Sequence, residues 1–220
     1  MAKVSTNSTD KPSRHSLPPT GGGVIIDIGT GDGRFVYQCA RQHPENFYIG
    51  IDANPSALEK ISEKIHRRPS KGGLPNVLFV QAAVESLPSE LDGAADEVHI
   101  HFPWGSLLRA VATGDEAVLN GLRRICAEGG WLEVVIGLDP ERDRSEIDRL
   151  SLPPLTSQYI ETVLVPHYRS AGFNVQEHGV LLPSEWPKLQ TTWAQRLRGR
   201  AGRTITYIIA QAAASGCLAR

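Results

Sequence analysis

The chain has 220 residues, 40% of them hydrophobic and 21% charged, which suits one α/β domain with its own core and excludes a disordered or fibrous protein. A net charge of −1 excludes binding of polyanions through a global basic field, and three scattered cysteines without a C-x-x-C exclude a zinc ribbon or disulfide framework. No apolar run approaches the ~20 residues that span a bilayer and no signal-peptide pattern is present, so the expectation is a cytoplasmic protein with no membrane association.

Met1 to Thr20 is rich in Ser, Thr and Pro and nearly free of apolar residues. Residues 1–23 are therefore expected to be a flexible tail, 24–212 a single domain and 213–220 a C-terminal tail. Val24-Ile25-Ile26-Asp27-Ile28 holds four β-branched apolar residues, the composition of a strand buried on both faces. In Gly29-Thr30-Gly31-Asp32-Gly33 the glycines let the backbone turn sharply and come close to a ligand. From Arg34 to Gln42, Phe35, Val36, Cys39 and Ala40 share one helical face. Strand, glycine loop and helix open a nucleotide-binding α/β unit.

The glycine spacing narrows the nucleotide. A dinucleotide site takes G-x-G-x-x-G, with a pyrophosphate on the helix N-terminus. Here the pattern is D-x-G-x-G-x-G, with an acid in the strand end and Arg34 after the last glycine. Asp27 is ill placed for an anion and well placed for an ammonium group. The pattern resembles the first motif of S-adenosylmethionine-dependent methyltransferases, which implies S-adenosylmethionine as cofactor; the alternative is a tight βα turn that holds no ligand.

Phe47 to Asp52 is a second buried strand, and Asp52 follows Gly33 at about the 20-residue distance of a ribose-binding carboxylate. Asn54-Pro55 opens a helix expected to run through Arg68, followed by the loop Pro69-Ser70-Lys71-Gly72-Gly73. Val77 to Val80 is a third strand and leads into Gln81-Ala82-Ala83-Val84-Glu85-Ser86-Leu87-Pro88, where the small Ala82 and Ala83 let an adenine ring lie against the backbone. Glu97 to Phe102 is the fourth, ending in Pro103-Trp104-Gly105. A helix over Glu116–Ala127, a strand over Trp131–Gly137 and a long polar connection from Asp139 to Leu155 come next, the last of a kind that often carries function. A helix near Ser157–Ala171, a strand over Val175–Leu182, a helix over Trp186–Leu197 and a final strand over Arg203–Ala210 complete the chain. This alternation predicts an α/β fold of the Rossmann-like methyltransferase kind, a seven-stranded, mostly parallel sheet with helices on both faces.

The neutral total is made of separated patches. Lys60, Lys64, Arg67, Arg68 and Lys71 face one acid, Glu63, and Arg196, Arg198, Arg200 and Arg203 lie in a stretch without acids. Such segregation points to a polyanion. Trp193 sits just before the second run, and aromatics interleaved with arginines suit a nucleic acid, each stacked base contributing roughly 1–3 kcal/mol. Trp193 also fits as core on its helix, with Trp186 a rival, and Trp104 also fits as a plug at the sheet edge. His99 and His101 share a strand face but have no evident third ligand, so no metal is expected.

Taken together, Asp27-Ile28-Gly29-Thr30-Gly31-Asp32-Gly33-Arg34, Phe47 to Asp52, Pro69-Ser70-Lys71-Gly72-Gly73-Leu74, Glu85-Ser86-Leu87-Pro88, Phe102-Pro103-Trp104-Gly105 and Trp193-Ala194-Gln195-Arg196-Leu197 resemble the aminoglycoside-resistance 16S rRNA methyltransferases that act on N1 of adenine 1408. The motifs occur in order from about Val24 to Tyr207. The resemblance implies that Asp27, Gly29, Gly31, Asp52, Ala82, Ala83, Glu85, Leu87 and Ser106 line the cofactor, with Asp52 on the ribose hydroxyls. It implies that Trp104 and Trp193 clamp a flipped adenine, that Thr191 holds the Trp193 loop and that Asp143 positions the nucleotide. Lys64, Arg67, Arg68, Lys71, Arg196, Arg200 and Arg203 would contact rRNA phosphates of the 30S subunit, with the protein a monomer. The competing readings are a tRNA guanine-N7 methyltransferase-like enzyme, which shares the Phe-Pro pair, and an RNA-binding relative without turnover.

Overall fold

The computed structural model describes residues 22–181 and 203–214. The tail expected up to residue 21, the helix expected over Trp186–Leu197 and most of the C-terminal tail lie outside the described residues. Strand β1, Val24–Ile28, pairs in parallel with β2, Phe47–Asp52, on one side and β4, Ala95–His101, on the other. The full sheet runs β3-β2-β1-β4-β5-β7-β6, where β3 is Val77–Gln81, β5 Cys126–Leu138, β6 Phe173–Leu181 and β7 Thr204–Ala212. Strands β1 to β5 are parallel; β7 is antiparallel to both β5 and β6. Chain order reverses between β1 and β4, which opens a crevice at the carboxyl ends of those strands.

Alternation of side chains across this sheet makes two apolar layers. Ile26, Ile28, Val98, Ile100, Leu132 and Val134 point into the larger one, with Leu108, Leu119, Leu122, Ile160, Leu164 and Tyr168 from the helices that cover it. Ile25, Tyr48 and Val77 meet Val36, Tyr37, Ile61 and Ile65 on the other face. Each fully buried Ile or Leu contributes on the order of 1.5–3 kcal/mol. The β-branched run that marks β1 is therefore required by burial on both sides.

The helices on the second face are α1, Arg34–Gln42, and α2, Pro55–Ile65. Asn54 caps α2, its side chain accepting from the Ser56 N–H, and Pro55 sits at the first position. The helix stops at Ile65, short of the expected Arg68. Arg68 precedes Pro69 and takes φ −58°, ψ 146°, since the proline ring disfavours helical backbone in the residue before it. On the first face lie α3, Gly105–Thr113, and α4, Glu116–Ile125; the polar connection after β5 carries α5, Arg144–Leu150. Helix α3 is absent from the sequence reading, although Leu107, Leu108, Val111 and Ala112 ahead of Gly114 carry its period. The last helical stretch runs from α6, Ser157–Tyr159, through a π-helical turn, Ile160–Leu164, into α7, Val165–Ser170. The π turn precedes Pro166, which has no N–H to donate and whose ring would crowd the preceding turn. Strand β5 begins at Cys126, earlier than expected, because Gly129 and Gly130 are absorbed into it. A Cβ on Gly130 would lie 2.8 Å from the Ala95 carbonyl, so only glycine allows β5 to run this close to β4. No helix among the described residues is long and apolar enough to cross a membrane.

Candidate active site

The carboxyl ends of β1, β2 and β4 and the loops after them enclose a cleft of about 960 Å³. Its floor is the β1–α1 loop. Gly29 and Thr30 donate their N–H groups to the Ile51 carbonyl at 2.8 and 3.0 Å, and the Gly31 N–H donates to Asp52 Oδ2 at 2.8 Å. Gly31 has φ +59° and a Cβ there would meet no atom within 4 Å, so the residue bends the chain and leaves the cleft open. Gly33 has φ +65°, and a Cβ there would lie 2.4 Å from the Phe79 ring. Both positions demand glycine.

Asp27 is only 4% exposed yet lines the cleft. Asp52 accepts from the Asn54 N–H through Oδ1 at 2.9 Å while Oδ2 holds Gly31. A carboxylate has about four acceptor sites, so both oxygens keep capacity for hydroxyl groups. Ala82, Ala83 and Glu85 form one wall, with Ala82 N–H bonded to the Asp52 carbonyl; Trp104, Ser106 and Leu107 form the opposite one. Of the expected lining residues, Leu87 is elsewhere. It is buried in the core, and its carbonyl accepts from Arg124 Nη2 at 2.8 Å, which fixes the loop from behind. The apolar character that suggested a ligand contact is spent on the core instead.

Residues that the sequence reading missed also line the cleft, among them Thr30, Arg34, Asn54, His101 and Leu107. Thr30 Oγ1 is buried and has no partner among the described residues. The set fits S-adenosylmethionine: a buried carboxylate for an ammonium group, a second carboxylate for ribose hydroxyls, a flat wall of small side chains and a spare hydroxyl. Among the described residues no group of three or more His, Cys, Asp or Glu could hold a metal ion.

Trp104 is 52% exposed at the cleft rim. Phe102, two residues before it, has φ +54°, an unusual conformation for an aromatic residue. Its N–H donates to the Val135 carbonyl at 2.7 Å. Its ring lies over Gly137, where a Cβ would come within 2.8 Å of it. This turn throws Pro103 and Trp104 outward over the cleft.

A row of ionisable groups crosses the sheet beneath the floor. Asp27, His99 and Glu133 are in register on β1, β4 and β5. His99 Nε2 lies 3.2 Å from Glu97, His101 Nε2 lies 2.5 Å from Glu133, and the two imidazoles stack at 5.0 Å. Burial alone pushes the His99 imidazole down, but the Glu97 hydrogen bond and the charges of Glu133, Glu97 and Asp27 outweigh it and raise its pKa.

The expected RNA contacts separate into kinds. Arg67, Arg68 and Lys71 are exposed. Lys64 is half-buried with its ammonium 3.9 Å above the Tyr37 ring, while the Tyr37 hydroxyl donates to the Gly72 carbonyl. Lys64 therefore braces the loop that displays the others. Arg203 pairs with Asp143, donating through Nη2 to Oδ1 at 3.0 Å, and reaches the Gly137 carbonyl from Nη1 at 3.2 Å. Asp143 is buried and also accepts from the Asp139 N–H at 2.9 Å. The structure thus brings together two residues expected to face RNA separately, and the Asp143 carboxylate does not line the cleft. Trp193, Thr191, Arg196 and Arg200 lie outside the described residues.

The family model described as NpmA, 16S rRNA (adenine(1408)-N(1))-methyltransferase, matches residues 3–213. The 16S rRNA (adenine(1408)-N(1))-methyltransferase of Streptoalloteichus tenebrarius is 38% identical over 180 residues, 82% of each chain. The crystal structure of the aminoglycoside resistance methyltransferase NpmB1 is 50% identical, covers 88% of this chain and 89% of its own, and superposes with a TM-score of 0.73. A variant of the 16S rRNA (adenine(1408)-N(1))-methyltransferase from Catenulisporales acidiphilia, solved with cosubstrate SAM, is 31% identical over 90% of both chains with a TM-score of 0.78. Glycine floor, paired carboxylates and outward tryptophan thus sit in a chain that belongs to the 16S rRNA (adenine(1408)-N(1))-methyltransferases, S-adenosylmethionine-dependent enzymes of Rossmann-like fold.

Proposed function

We propose that this enzyme, which methylates N1 of adenine 1408 in 16S rRNA and thereby confers aminoglycoside resistance, acts as a cytoplasmic monomer on the assembled 30S subunit and stacks the extruded adenine on Trp104. The observation that carries the reading is an indole 52% exposed on the rim of the cofactor cleft, with its backbone fixed on the residues before it. S-adenosylmethionine, when bound, supplies an electrophilic methyl group on a sulfonium. Asp27 holds its ammonium end, Asp52 its ribose hydroxyls, and Ala82, Ala83 and Glu85 flank its adenine. Ser106 closes the side nearest Trp104.

N1 of adenine is a neutral ring nitrogen with its own lone pair. Once extruded, it needs orientation more than deprotonation. Extrusion costs a few kcal/mol, which two indole faces at roughly 1–3 kcal/mol each can offset. Trp193, presented by a loop that Thr191 holds, supplies the second face. Arg67, Arg68 and Lys71 with Arg196 and Arg200 contact phosphates from two segments distant in sequence, as suits a folded RNA surface read by shape. Asp143 and Arg203 act as a pair that holds the connection after β5 against the start of β7.

The test is methyl incorporation into 30S subunits and into an isolated decoding-site hairpin under the same conditions. Transfer is expected to subunits and not to the hairpin, and Trp104→Ala is expected to abolish it. Equal transfer to the hairpin contradicts the subunit assignment, and an active Trp104→Ala contradicts the stacking role.

A further inference from the structure

Trp104 projects into solvent, so few side-chain contacts hold its indole; its direction depends on the peptides on either side. The peptide before it is fixed by the Phe102 N–H on Val135 and by the ring of Pro103. The peptide after it belongs to Gly105, which has φ +62° and begins α3. Trp104 is the N-cap of that helix and offers no side-chain acceptor, which leaves the first N–H groups in need of one.

The acceptor comes from another element. Glu146 on α5 reaches across with Oε1 3.2 Å from the Gly105 nitrogen. Arg149, one turn further along α5, grips the same carboxylate side-on, Nε to Oε2 at 2.8 Å and Nη2 to Oε1 at 2.6 Å. Glu146 is only 8% exposed although it sits on a surface helix. A carboxylate in that position stays ionised only when paired and hydrogen-bonded, and the positive end of α3 adds to the attraction.

From this geometry we infer that Glu146, oriented by Arg149, is a positioning residue for methyl transfer: it fixes the Gly105 peptide and thereby the indole of Trp104 that receives the base. Glu146 lines neither wall of the cleft, so its effect reaches the reaction only through the Phe102–Gly105 turn. The inference rests on the reading of Trp104 as the stacking platform. A misplacement of about 1 Å at such a platform costs on the order of a hundredfold in rate.

Single-turnover methylation of 30S subunits, 30S affinity and S-adenosylmethionine affinity by calorimetry would be compared for wild type, Glu146→Ala, Glu146→Gln, Arg149→Ala and Trp104→Ala. Glu146→Ala is expected to slow transfer tenfold or more, about the worth of one charge-assisted hydrogen bond, with both affinities within about twofold of wild type. Glu146→Gln keeps an oxygen facing Gly105 and is expected to recover most of the rate. Arg149→Ala is expected to lose less than Glu146→Ala, and supplies the same test should Glu146→Ala fail to fold. Wild-type rates in both Glu146→Ala and Arg149→Ala overturn the inference while leaving the Trp104 reading intact. A joint fall of rate and cofactor affinity in Glu146→Ala and Glu146→Gln alike also overturns it, since that is the mark of lost folding. An active Trp104→Ala overturns the reading beneath it.

Discussion

Both carboxylate oxygens of Asp52 brace backbone, Oδ2 on Gly31 and Oδ1 on Asn54, at the place where the cofactor's ribose is proposed to sit. Removing the carboxylate loosens the glycine floor and the start of α2 as well as the ligand contact. Asp52→Ala is therefore expected to weaken S-adenosylmethionine binding by roughly 10- to 100-fold, consistent with hydrogen bonds to a charged group. Calorimetry measures this directly; unchanged affinity would contradict the assignment. At the rim, Trp104→Phe keeps a stacking face and is expected to retain part of the activity that Trp104→Ala loses. Trp193→Ala is expected to be inactive with normal cofactor affinity, and Trp186→Ala, the control, mild. The motif residues were legible in the sequence because glycine spacing and an acid at a strand end have local causes. Glu146 on Gly105 and Asp143 on Arg203 were not legible: each joins positions 41 and 60 residues apart, and only the fold sets that distance.

The strands were readable from their β-branched runs, and the β1–α1 and β2–α2 turns from Gly, Asn and Pro. The errors lay where two local rules competed. Helical periodicity carried α2 to Arg68, but Pro69 stopped it earlier; the Phe-Pro-Trp-Gly motif drew attention from the helical period of α3 just after it. The loop after α2 offers a test at this scale. A Cβ on Gly73 would lie 1.6 Å from the Arg67 carbonyl, a clash only backbone movement relieves. Gly73→Ala is expected to displace Arg67, Arg68 and Lys71 and to weaken 30S binding about tenfold or more, since log affinity changes by roughly 0.7–0.9 per phosphate contact for each decade of salt. S-adenosylmethionine affinity should stay near wild type, and unchanged 30S binding would contradict the phosphate role.

The row under the floor makes stability depend on pH. His99 titrates higher in the folded chain than in the unfolded one, with Asp27 on β1, Glu97 and His101 on β4 and Glu133 on β5 around it. Below the ordinary histidine value of about 6.5 both states carry the proton and the contribution is fully present. As pH rises, the unfolded chain releases its proton first, and the contribution is lost by the time pH passes the raised folded value. The melting temperature of wild type is expected to fall across the window above 6.5 more steeply than that of His99→Asn. Parallel curves would show that His99 does not titrate there.

At the scale of the whole molecule, a net charge near zero conceals a basic edge, and a cofactor cleft and an exposed indole share one rim. Composition alone excluded a globally basic nucleic-acid binder, whereas segregation of charge along the chain pointed to RNA. The fold class followed from the alternation of strands and helices; the antiparallel placement of β7 between β5 and β6 did not, because pairing partners so far apart in sequence leave no local mark. Binding to 30S subunits is expected to weaken steeply with salt, and a flat dependence would contradict a phosphate-reading surface. The most direct measurement is reverse transcription of 16S rRNA extracted from 30S subunits after incubation with the protein and S-adenosylmethionine. Methylation of N1 blocks Watson–Crick pairing, so a cofactor-dependent stop at adenine 1408 is predicted, absent with Trp104→Ala. Read-through at that position, or a cofactor-dependent stop at another nucleotide, would contradict the account.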